Sequence, residues 1–281
     1  MTTSNISESL DHPPHVAGVL NYLADRNELP VSYTYQPPAG VPLRTGNYVK
    51  HTMPIYDGRA IADRISLDQQ GFAVKHHLTK IANFYDETEV RSIYYPEVER
   101  LVKESIGAVR VLVFDHNVRC REKMKQGAKN ISEPVKVAHN DYTLKSGPQR
   151  VRDLLPDEVE ALLKNRFAFI NVWRPISVEP VQESPLAVCD AQSMALEDFV
   201  RHVLKYRDRD GEVYSVAYNP NHKWYYLPQQ RKDEVLLLKC YDSDNRAARF
   251  TAHSAFADPT SPPDAPSRES IEARTIAFFA P

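Results

Sequence analysis

Glycine and cysteine are both scarce in this chain of 281 residues, which contains nine glycines and three cysteines. A phosphate-cradling glycine loop is therefore not expected, and neither a P-loop nor a dinucleotide-binding pattern occurs. The cysteines Cys120, Cys189 and Cys240 are widely separated and lack the close spacing of zinc or redox motifs. Their number and spacing favour a reducing, cytoplasmic location.

Long hydrophobic runs and an excess of positive charge are also missing. No stretch approaches the roughly 18 apolar residues of a membrane span, and the first eight residues lack the basic and apolar regions of an export signal. The formal net charge is -2, so no global positive field exists to hold a polyanion such as DNA. We expect an unexported protein that binds neither membrane nor nucleic acid.

The bulk composition is that of a globular protein. Hydrophobic residues make up 42% of the chain and charged residues 26%, which is enough for a substantial core. Twenty-one prolines predict many stiff, extended connections. The length allows one large β-rich domain or two smaller ones, and we expect one integrated domain. The sequence does not determine the oligomeric state, and a homodimer is consistent with it.

The first 107 residues are expected to form an N-terminal arm and buttressing helices. Residues 1–14 are polar and favour a frayed start, while Leu29 to Tyr56 is rich in proline, tyrosine and threonine, which suits extended chain. Apolar residues at helical spacing predict helices over 15–27, 61–81 and 87–106.

Residues 108–281 contain many short segments that are typical of strands. Strands are predicted over 108–114, 167–173, 214–218, 224–227, 234–241, 249–253 and 270–279. Helical interruptions are predicted over 156–164 and 195–205. The succession of strands predicts a mainly β fold with flanking helices, whose catalytic core is a double-stranded β-helix of the jelly-roll or cupin-like kind.

Two histidines and an aspartate are the strongest candidates for chemistry. His139 and Asp141 are two residues apart, so on a strand both side chains face the same side, and His253 ends a predicted strand further along. Two imidazoles and one carboxylate are the ligands of oxygen-activating non-heme Fe(II). A surface turn also explains a bare His-x-Asp, and His116 is a weaker rival ligand because its neighbour Asp115 faces away.

The C-terminal segment supplies candidates for a co-substrate. Arg268 and Ser270 lie on one face of an extended chain, so a guanidinium and a hydroxyl can together bind the distal carboxylate of 2-oxoglutarate. Arg274 lies on the same face. Pairing with a surface carboxylate explains Arg274 equally well.

These residues resemble the facial triad and cofactor arginine of Fe(II)/2-oxoglutarate-dependent oxygenases. Four further segments resemble the AsaB/CmcJ/NvfI-like hydroxylase and desaturase family: Val113 to His116, Phe169 to Pro175, Asp233 to Leu237 and Arg268 to Arg274. The resemblance spans roughly Val111 to Phe279. It implies oxidation of an unactivated C–H bond of a small specialised metabolite, with Fe(II), 2-oxoglutarate and O2 as cofactors and succinate and CO2 as co-products. Hydroxylation, desaturation and ring formation all stay open.

Other residues are candidates for contact with the cofactor or the substrate. Asn171 is a polar residue on an apolar strand face and needs a partner when buried, so it is a candidate for either contact. Arg174 is a candidate for a substrate carboxylate, with a salt bridge to the helix layer as the alternative. Tyr218 and Trp224 belong to an aromatic cluster that suits a pocket wall or core packing. The basic run from Arg119 to Lys129 suits either a lid over an acidic substrate or a solvated loop.

Two other functions are consistent with these residues. One is a cupin-like metal enzyme that uses no 2-oxoglutarate, in which Arg268 has no assigned partner. The other is a non-catalytic small-molecule binding protein, which would hold no stoichiometric iron. A nucleic-acid demethylase with the same iron motif is disfavoured by the slightly acidic charge balance.

Overall fold

The computed structural model of the chain describes residues 14–280, so most of the polar segment 1–14 lies outside the described residues. Two β-sheets face each other across a buried core, and helices cover the outer side of one sheet. The strands are β1 (His15–Leu23), β2 (Val31–Tyr33), β3 (Tyr48–Asp57), β4 (Phe72–His76), β5 (Arg110–Arg119), β6 (Ile131–Ser132), β7 (His139–Asn140), β8 (Phe167–Pro175), β9 (Leu186–Cys189), β10 (Phe199–Lys205), β11 (Asp210–Val216), β12 (Trp224–Tyr226), β13 (Glu234–Asp242), β14 (His253–Ala255) and β15 (Ser270–Phe278). The α-helices are α1 (Glu87–Glu89), α2 (Tyr95–Ile106), α3 (Arg121–Lys125), α4 (Ser146–Leu154) and α5 (Val159–Leu162).

The six-stranded sheet has the order β4-β13-β8-β15-β5-β6 and is covered on both faces. In β8, Ile170 and Val172 pack towards the helices, whereas Phe169 and Trp173 pack towards the facing sheet. Because both faces are covered, β8 is buried along its whole length and reads as a nearly continuous apolar run. This alternation decides which residues of the strand can reach the space between the sheets.

The helix predicted over 87–106 is confirmed. It begins at Asp86, whose carboxylate accepts a hydrogen bond from the backbone N–H of Thr88, and ends at Gly107, which has a left-handed φ of 67°. A π-helical segment, Val90–Tyr94, joins α1 to α2. The apolar stripe of this helix packs against the outer face of the six-stranded sheet.

The nine-stranded sheet, ordered β1-β3-β12-β9-β14-β7-β11-β10-β2, curls back on itself. Isolated bridges join Val19 of β1 to Ala257 and Asn21 to Val137. The curl encloses a second apolar core that includes Leu20 and Trp224. The helix predicted over 15–27 is therefore wrong, since its apolar spacing also fits a strand that alternates between buried and partly exposed residues.

Several other predicted elements are corrected by the structure. Instead of a helix, residues 61–81 contain the end of a short 3-10 helix, Gly58–Ile61, and strand β4. The helix predicted over 195–205 is a 3-10 turn followed by β10, which pairs with β11 along its length. Only a short helix, α5, forms within 156–164, and the strand predicted over 249–253 begins at His253. Short apolar segments fit both periodicities, and tertiary strand pairing decides between them.

Residues before 108 contribute to both sheets. Strands β1, β2 and β3 belong to the nine-stranded sheet, and β4 pairs with β13 at the edge of the six-stranded sheet. Between residues 14 and 280, every helix falls short of the length and apolarity that crossing a membrane requires.

Candidate active site

Three potential metal ligands converge between the two sheets. His139 on β7 and His253 on β14 are directly opposite each other in the strand register, and Asp141 follows β7. One ligand atom from each residue lies within 4.8 Å of the others. The Asp141 Oδ1 atom is 3.6 Å from His139 Nε2 and 4.0 Å from His253 Nε2. The three residues thus form a compact set of two nitrogens and one oxygen.

Backbone carbonyls orient both imidazoles. The Nδ1 atom of His139 lies 2.8 Å from the Val137 carbonyl, and Nδ1 of His253 lies 3.1 Å from the Thr251 carbonyl. When Nδ1–H donates to a carbonyl, Nε2 carries the free lone pair that a metal requires. The same local geometry, a carbonyl two residues earlier, therefore prepares both rings as ligands.

The protonation states of the site also suit a cation. Burial and the neighbouring His253 lower the pKa of His139 to about 3, so its ring is neutral at physiological pH. Burial acts to raise the pKa of Asp141, but the Arg274 guanidinium, together with the hydrogen bond from Asn171, outweighs it and holds that pKa well below its usual value. The carboxylate is therefore ionised. Metal binding requires this combination of neutral imidazole and ionised carboxylate.

The second carboxylate oxygen of Asp141 is bound by protein groups. Asn171 Nδ2 donates to Oδ2 at 2.8 Å, and Arg274 Nε donates to the same atom at 3.2 Å. Both donors lie on the six-stranded sheet, in β8 and β15. Asn171 and Arg274, which the sequence makes candidates for contact with the cofactor, therefore both donate to Asp141.

Arg268 and Ser270 are two residues apart in the chain, and both are buried. Arg268 Nη1 donates to the Ser184 carbonyl, and the guanidinium lies 5.3 Å from the centre of a Trp173 ring. Within residues 14–280, Arg268 Nε and Ser270 Oγ have no hydrogen-bond partner. Burial and the nearby guanidinium of Arg119 lower the pKa of Arg268 to about 9, so its charge is poorly compensated. Buried donors without partners need a hydrogen-bond acceptor, which a bound ligand can supply.

Arg119 is a site residue that sequence reasoning missed. It is the cross-strand partner of Ser270, so both side chains leave the six-stranded sheet on the same face. Its guanidinium donates to Ser132 Oγ and to the Glu133 carbonyl, each at 3.0 Å. The sequence shows Arg119 only as the first residue of a basic run. Its position beside Ser270 depends on strand register, which local sequence does not reveal.

The rest of that basic run contacts neighbouring segments of the chain. It contains the short helix α3, in which Lys123 lies 4.5 Å from the centre of the Tyr85 ring. Arg121 pairs with Glu183 at 3.4 Å. These contacts attach the segment to its neighbours.

A cavity of about 500 Å³ opens beside the candidate ligands and includes His139 and Asp141 in its wall. One side of it carries a chain of hydrogen bonds that begins at the Tyr48 hydroxyl. This hydroxyl lies 2.8 Å from Ser215 Oγ, which lies 3.0 Å from His202 Nδ1. His202 Nε2 lies 2.9 Å from Ser32 Oγ. Burial and the nearby Arg44 guanidinium lower the pKa of His202 to about 4, so this hydrogen-bonded row is polar but uncharged. Charged side chains, among them Arg44 and Arg201, also line the cavity.

Three suggested substrate residues lie elsewhere. Arg174 points to the helix side, where it donates to the carbonyls of Lys232 and His77. Trp224 donates to the Tyr22 hydroxyl at 2.6 Å in the core enclosed by the curled sheet, and Tyr218 stacks on His51 with ring centres 3.7 Å apart. Strand alternation explains the placement of Arg174 and Trp224, because their neighbours Trp173 and Tyr225 pack into the core between the sheets. Tyr218 lies just after β11.

His116, the rival metal ligand, also lies on the helix side. Its Nδ1 atom is 2.8 Å from the Tyr95 hydroxyl, and its Nε2 atom is 3.4 Å from Glu87. It therefore takes no part in the cluster of ligands.

The chain is similar to known enzymes along most of its length. Residues 20–278 match the family model described as "Oxidoreductase/YMDC permease-like domain". The Fe(II)/2-oxoglutarate-dependent dioxygenase nvfI of Aspergillus novofumigatus is 34% identical over 88% of this chain and 90% of its own. The hydroxylase/desaturase efuI of Hormonema carpetanum is 35% identical over 82% of this chain and 84% of its own.

Solved structures agree with this relationship. The iron and alpha-ketoglutarate-dependent endoperoxidase NvfI superposes with a TM-score of 0.85 and 28% identity, covering 95% of this chain and 99% of that chain. The mainly β double-stranded β-helix fold is thereby confirmed, as are the iron and 2-oxoglutarate dependence. The alternatives of an enzyme without 2-oxoglutarate and of a binding protein are set aside. The chain belongs to the Fe(II)/2-oxoglutarate-dependent hydroxylase and desaturase family and is a non-heme iron dioxygenase.

Proposed function

We propose that His139, Asp141 and His253 bind the ferrous iron of this dioxygenase, and that Arg268 and Ser270 bind the distal carboxylate of 2-oxoglutarate. The observation that carries the proposal is the convergence of two imidazole nitrogens and one carboxylate oxygen within 4.8 Å. A set of two histidines and one carboxylate suits Fe(II) and leaves coordination positions open for a chelating 2-oxo acid.

The unsatisfied donors beside Trp173 fit a carboxylate. Arg268 Nε and Ser270 Oγ are buried donors without partners in the described chain, and a carboxylate offers only acceptors. A charge-assisted bond to Arg268 would also compensate its buried charge. Arg119 brings a second guanidinium to the same place, and we include it among the co-substrate contacts. Asn171 Oδ1, which is also unsatisfied, is an acceptor and does not suit an acidic ligand.

When bound, iron, 2-oxoglutarate and O2 together supply the oxidant for a substrate C–H bond, with succinate and CO2 as co-products. The protein's residues bind and orient these molecules. The Val137 and Thr251 carbonyls fix the two imidazoles, and Trp173 covers the Arg268 guanidinium on one side. Such preorganisation determines which substrate C–H bond is presented to the oxidant.

The substrate is inferred to be a small specialised metabolite. A cavity of about 500 Å³ lies within the range of sites for small organic molecules. The neutral wall formed by Ser32, His202 and Ser215 can donate or accept a hydrogen bond, which suits an uncharged hydroxyl or carbonyl group of a substrate. Hydroxylation, desaturation and ring formation are all compatible with this cavity.

The test is an anaerobic titration of the purified protein with Fe(II) and then 2-oxoglutarate, followed by the weak visible charge-transfer band of the chelate. We expect the band in the wild-type protein, no band in His139→Ala, and a much higher 2-oxoglutarate midpoint in Arg268→Ala. Iron binding without a band would contradict the co-substrate site. Undiminished iron binding by His139→Ala would contradict the metal site.

A further inference from the structure

A row of polar residues crosses the six-stranded sheet opposite Asp141. Asn171 of β8, Arg274 of β15 and Asp115 of β5 are paired across neighbouring strands in the register. The pairing of β15 with β5 shifts immediately after Arg274, which marks a β-bulge. Bulges occur next to active sites, where they change the direction of a side chain. The row therefore brings two side-chain donors to one carboxylate of the facing sheet.

The two carboxylate oxygens of Asp141 have different contacts. Oδ2 accepts from both Asn171 Nδ2 and Arg274 Nε, whereas Oδ1 is the oxygen that lies 3.6 Å and 4.0 Å from the two histidine nitrogens. Arg274 is itself held from behind, because its guanidinium pairs with Asp115 at 3.1 Å and with Glu272 at 3.3 Å. These two acids fix the guanidinium and compensate its charge. Arg274 consequently has no uncompensated charge to offer a co-substrate.

We propose that Asn171 and Arg274 are positioning residues that occupy Asp141 Oδ2, so that Asp141 can bind iron only through Oδ1. This inference rests on the proposed function of Asp141 as an iron ligand. A carboxylate bound through one oxygen leaves three of six coordination positions free, whereas one bound through both leaves two. A chelating 2-oxo acid uses two positions. Binding of Asp141 through Oδ1 alone would therefore keep a third position available. Outer-sphere partners of this kind typically change metal affinity 10- to 100-fold.

The experiment compares Fe(II) affinity and co-substrate affinity in one set of variants. Fe(II) binding is measured anaerobically, without 2-oxoglutarate, by competition with a chromophoric chelator. The 2-oxoglutarate midpoint and the charge-transfer band position are then measured at saturating Fe(II). The variants are Arg274→Gln, Arg274→Lys, Asn171→Ala and Arg268→Gln. Arg246→Gln is the control, because within residues 14–280 the exposed Arg246 forms its ion pair with its near neighbour Asp244 alone.

We expect Arg274→Gln and Asn171→Ala to weaken Fe(II) binding at least tenfold and to shift the charge-transfer band, because Asp141 then coordinates differently. Arg274→Lys should restore part of the affinity. Arg268→Gln should leave Fe(II) affinity unchanged and raise only the 2-oxoglutarate midpoint, and the control should change neither quantity.

The positioning role is overturned if Arg274→Gln keeps Fe(II) affinity within twofold of wild type and instead raises the 2-oxoglutarate midpoint, as Arg268→Gln does. Circular dichroism checks that each variant is folded, and if Arg274→Gln is not, Asn171→Ala and Arg274→Lys decide by the same criteria. A different result would show that the proposed iron ligands are wrong. In that case His139→Ala would bind Fe(II) as well as wild type does.

Discussion

Arg268, which is buried just before β15, and Arg274, which is partly buried in the middle of that strand, have opposite surroundings. Arg274 contacts the carboxylates of Asp141, Asp115 and Glu272. Arg268 donates to one backbone carbonyl and leaves Nε without a partner, and it forms no ion pair with any acid in residues 14–280. Burial disfavours a charge in both places, but only at Arg274 do neighbouring acids outweigh it and hold the pKa well above its usual value.

If Arg268 binds 2-oxoglutarate as we propose, the difference distinguishes a residue of the framework from a residue of the binding site. A buried charge that is fully compensated in the ligand-free protein holds other groups in place, and its removal leaves them uncompensated. A buried charge without compensation destabilises the ligand-free protein and is retained for the ligand that it binds. Arg174 represents a third case, because backbone carbonyls satisfy it on the helix side of the sheet. Burial and residue type alone therefore do not identify a binding arginine.

The largest effect is expected from Arg274→Met in metal-free protein. This variant leaves three carboxylates close together without their cation, so the free energy of unfolding should fall by roughly 3 kcal/mol. Urea denaturation of the metal-free protein measures it. Arg246→Gln, at an exposed ion pair, should change stability by less than about 0.5 kcal/mol. A loss no larger than that of the control would contradict the framework role of Arg274.

Arg268→Met should have the opposite effect on stability. Its pKa in the folded protein, about 9, lies below the usual value, so folding disfavours the charged form and this penalty is fully present at neutral pH. We expect the metal-free variant to be at least as stable as wild type, while its 2-oxoglutarate midpoint rises on the order of 100-fold through loss of charge-assisted bonds. A fall in stability comparable to that of Arg274→Met would remove the distinction between the two arginines.

His202 is a partly buried group that, unlike Arg268 and Arg274, stays neutral. Its folded pKa of about 4 lies below the usual value of 6.5, so the unfolded chain takes up a proton in that interval and the folded protein does not. The free energy of unfolding should therefore fall as the pH is lowered from about 6.5 to 4, by about 2 kcal/mol after allowance for partial exposure. His202→Gln, which cannot titrate, should show a correspondingly flatter pH dependence in metal-free protein. If the free energies of unfolding of the two proteins depended on pH in the same way, the lowered pKa of His202 would be contradicted.

The sequence predicts the parts of the site that depend on near neighbours. His139 with Asp141, and Arg268 with Ser270, are two residues apart, and strand alternation alone places each pair on one face. It does not predict contacts that depend on register between distant strands, such as Arg119 beside Ser270. The direction of Arg174 also depended on where β8 ends, and the structure keeps that strand regular through Pro175.

The same distinction explains the errors in the fold. The apolar residues of His15–Leu23 fit a helix or a strand equally well, and pairing with β3 selects the strand. At Gly18 a β-carbon would lie 2.4 Å from an Ile55 side-chain atom, so any larger residue there would force the packed Ile55 side chain to shift. The long helix over 87–106 was predicted correctly because its apolar stripe, cap and terminal glycine all lie within one segment.

The smallest effect is expected from Ser270→Ala, which removes another unsatisfied donor close to Arg268 in the chain. Because the hydroxyl has no partner in the described chain, its removal should leave the stability of the ligand-free protein unchanged within about 0.5 kcal/mol. The 2-oxoglutarate midpoint should rise by about fivefold, which corresponds to roughly 1 kcal/mol for one hydrogen bond.

Thr275→Val is the matched control on the same strand, since the Thr275 hydroxyl donates to the Ile170 carbonyl at 2.8 Å. This control should lose about 1 kcal/mol of stability and keep its 2-oxoglutarate midpoint. If Ser270→Ala behaves like Thr275→Val, the Ser270 hydroxyl contributes to the framework and not to the binding site.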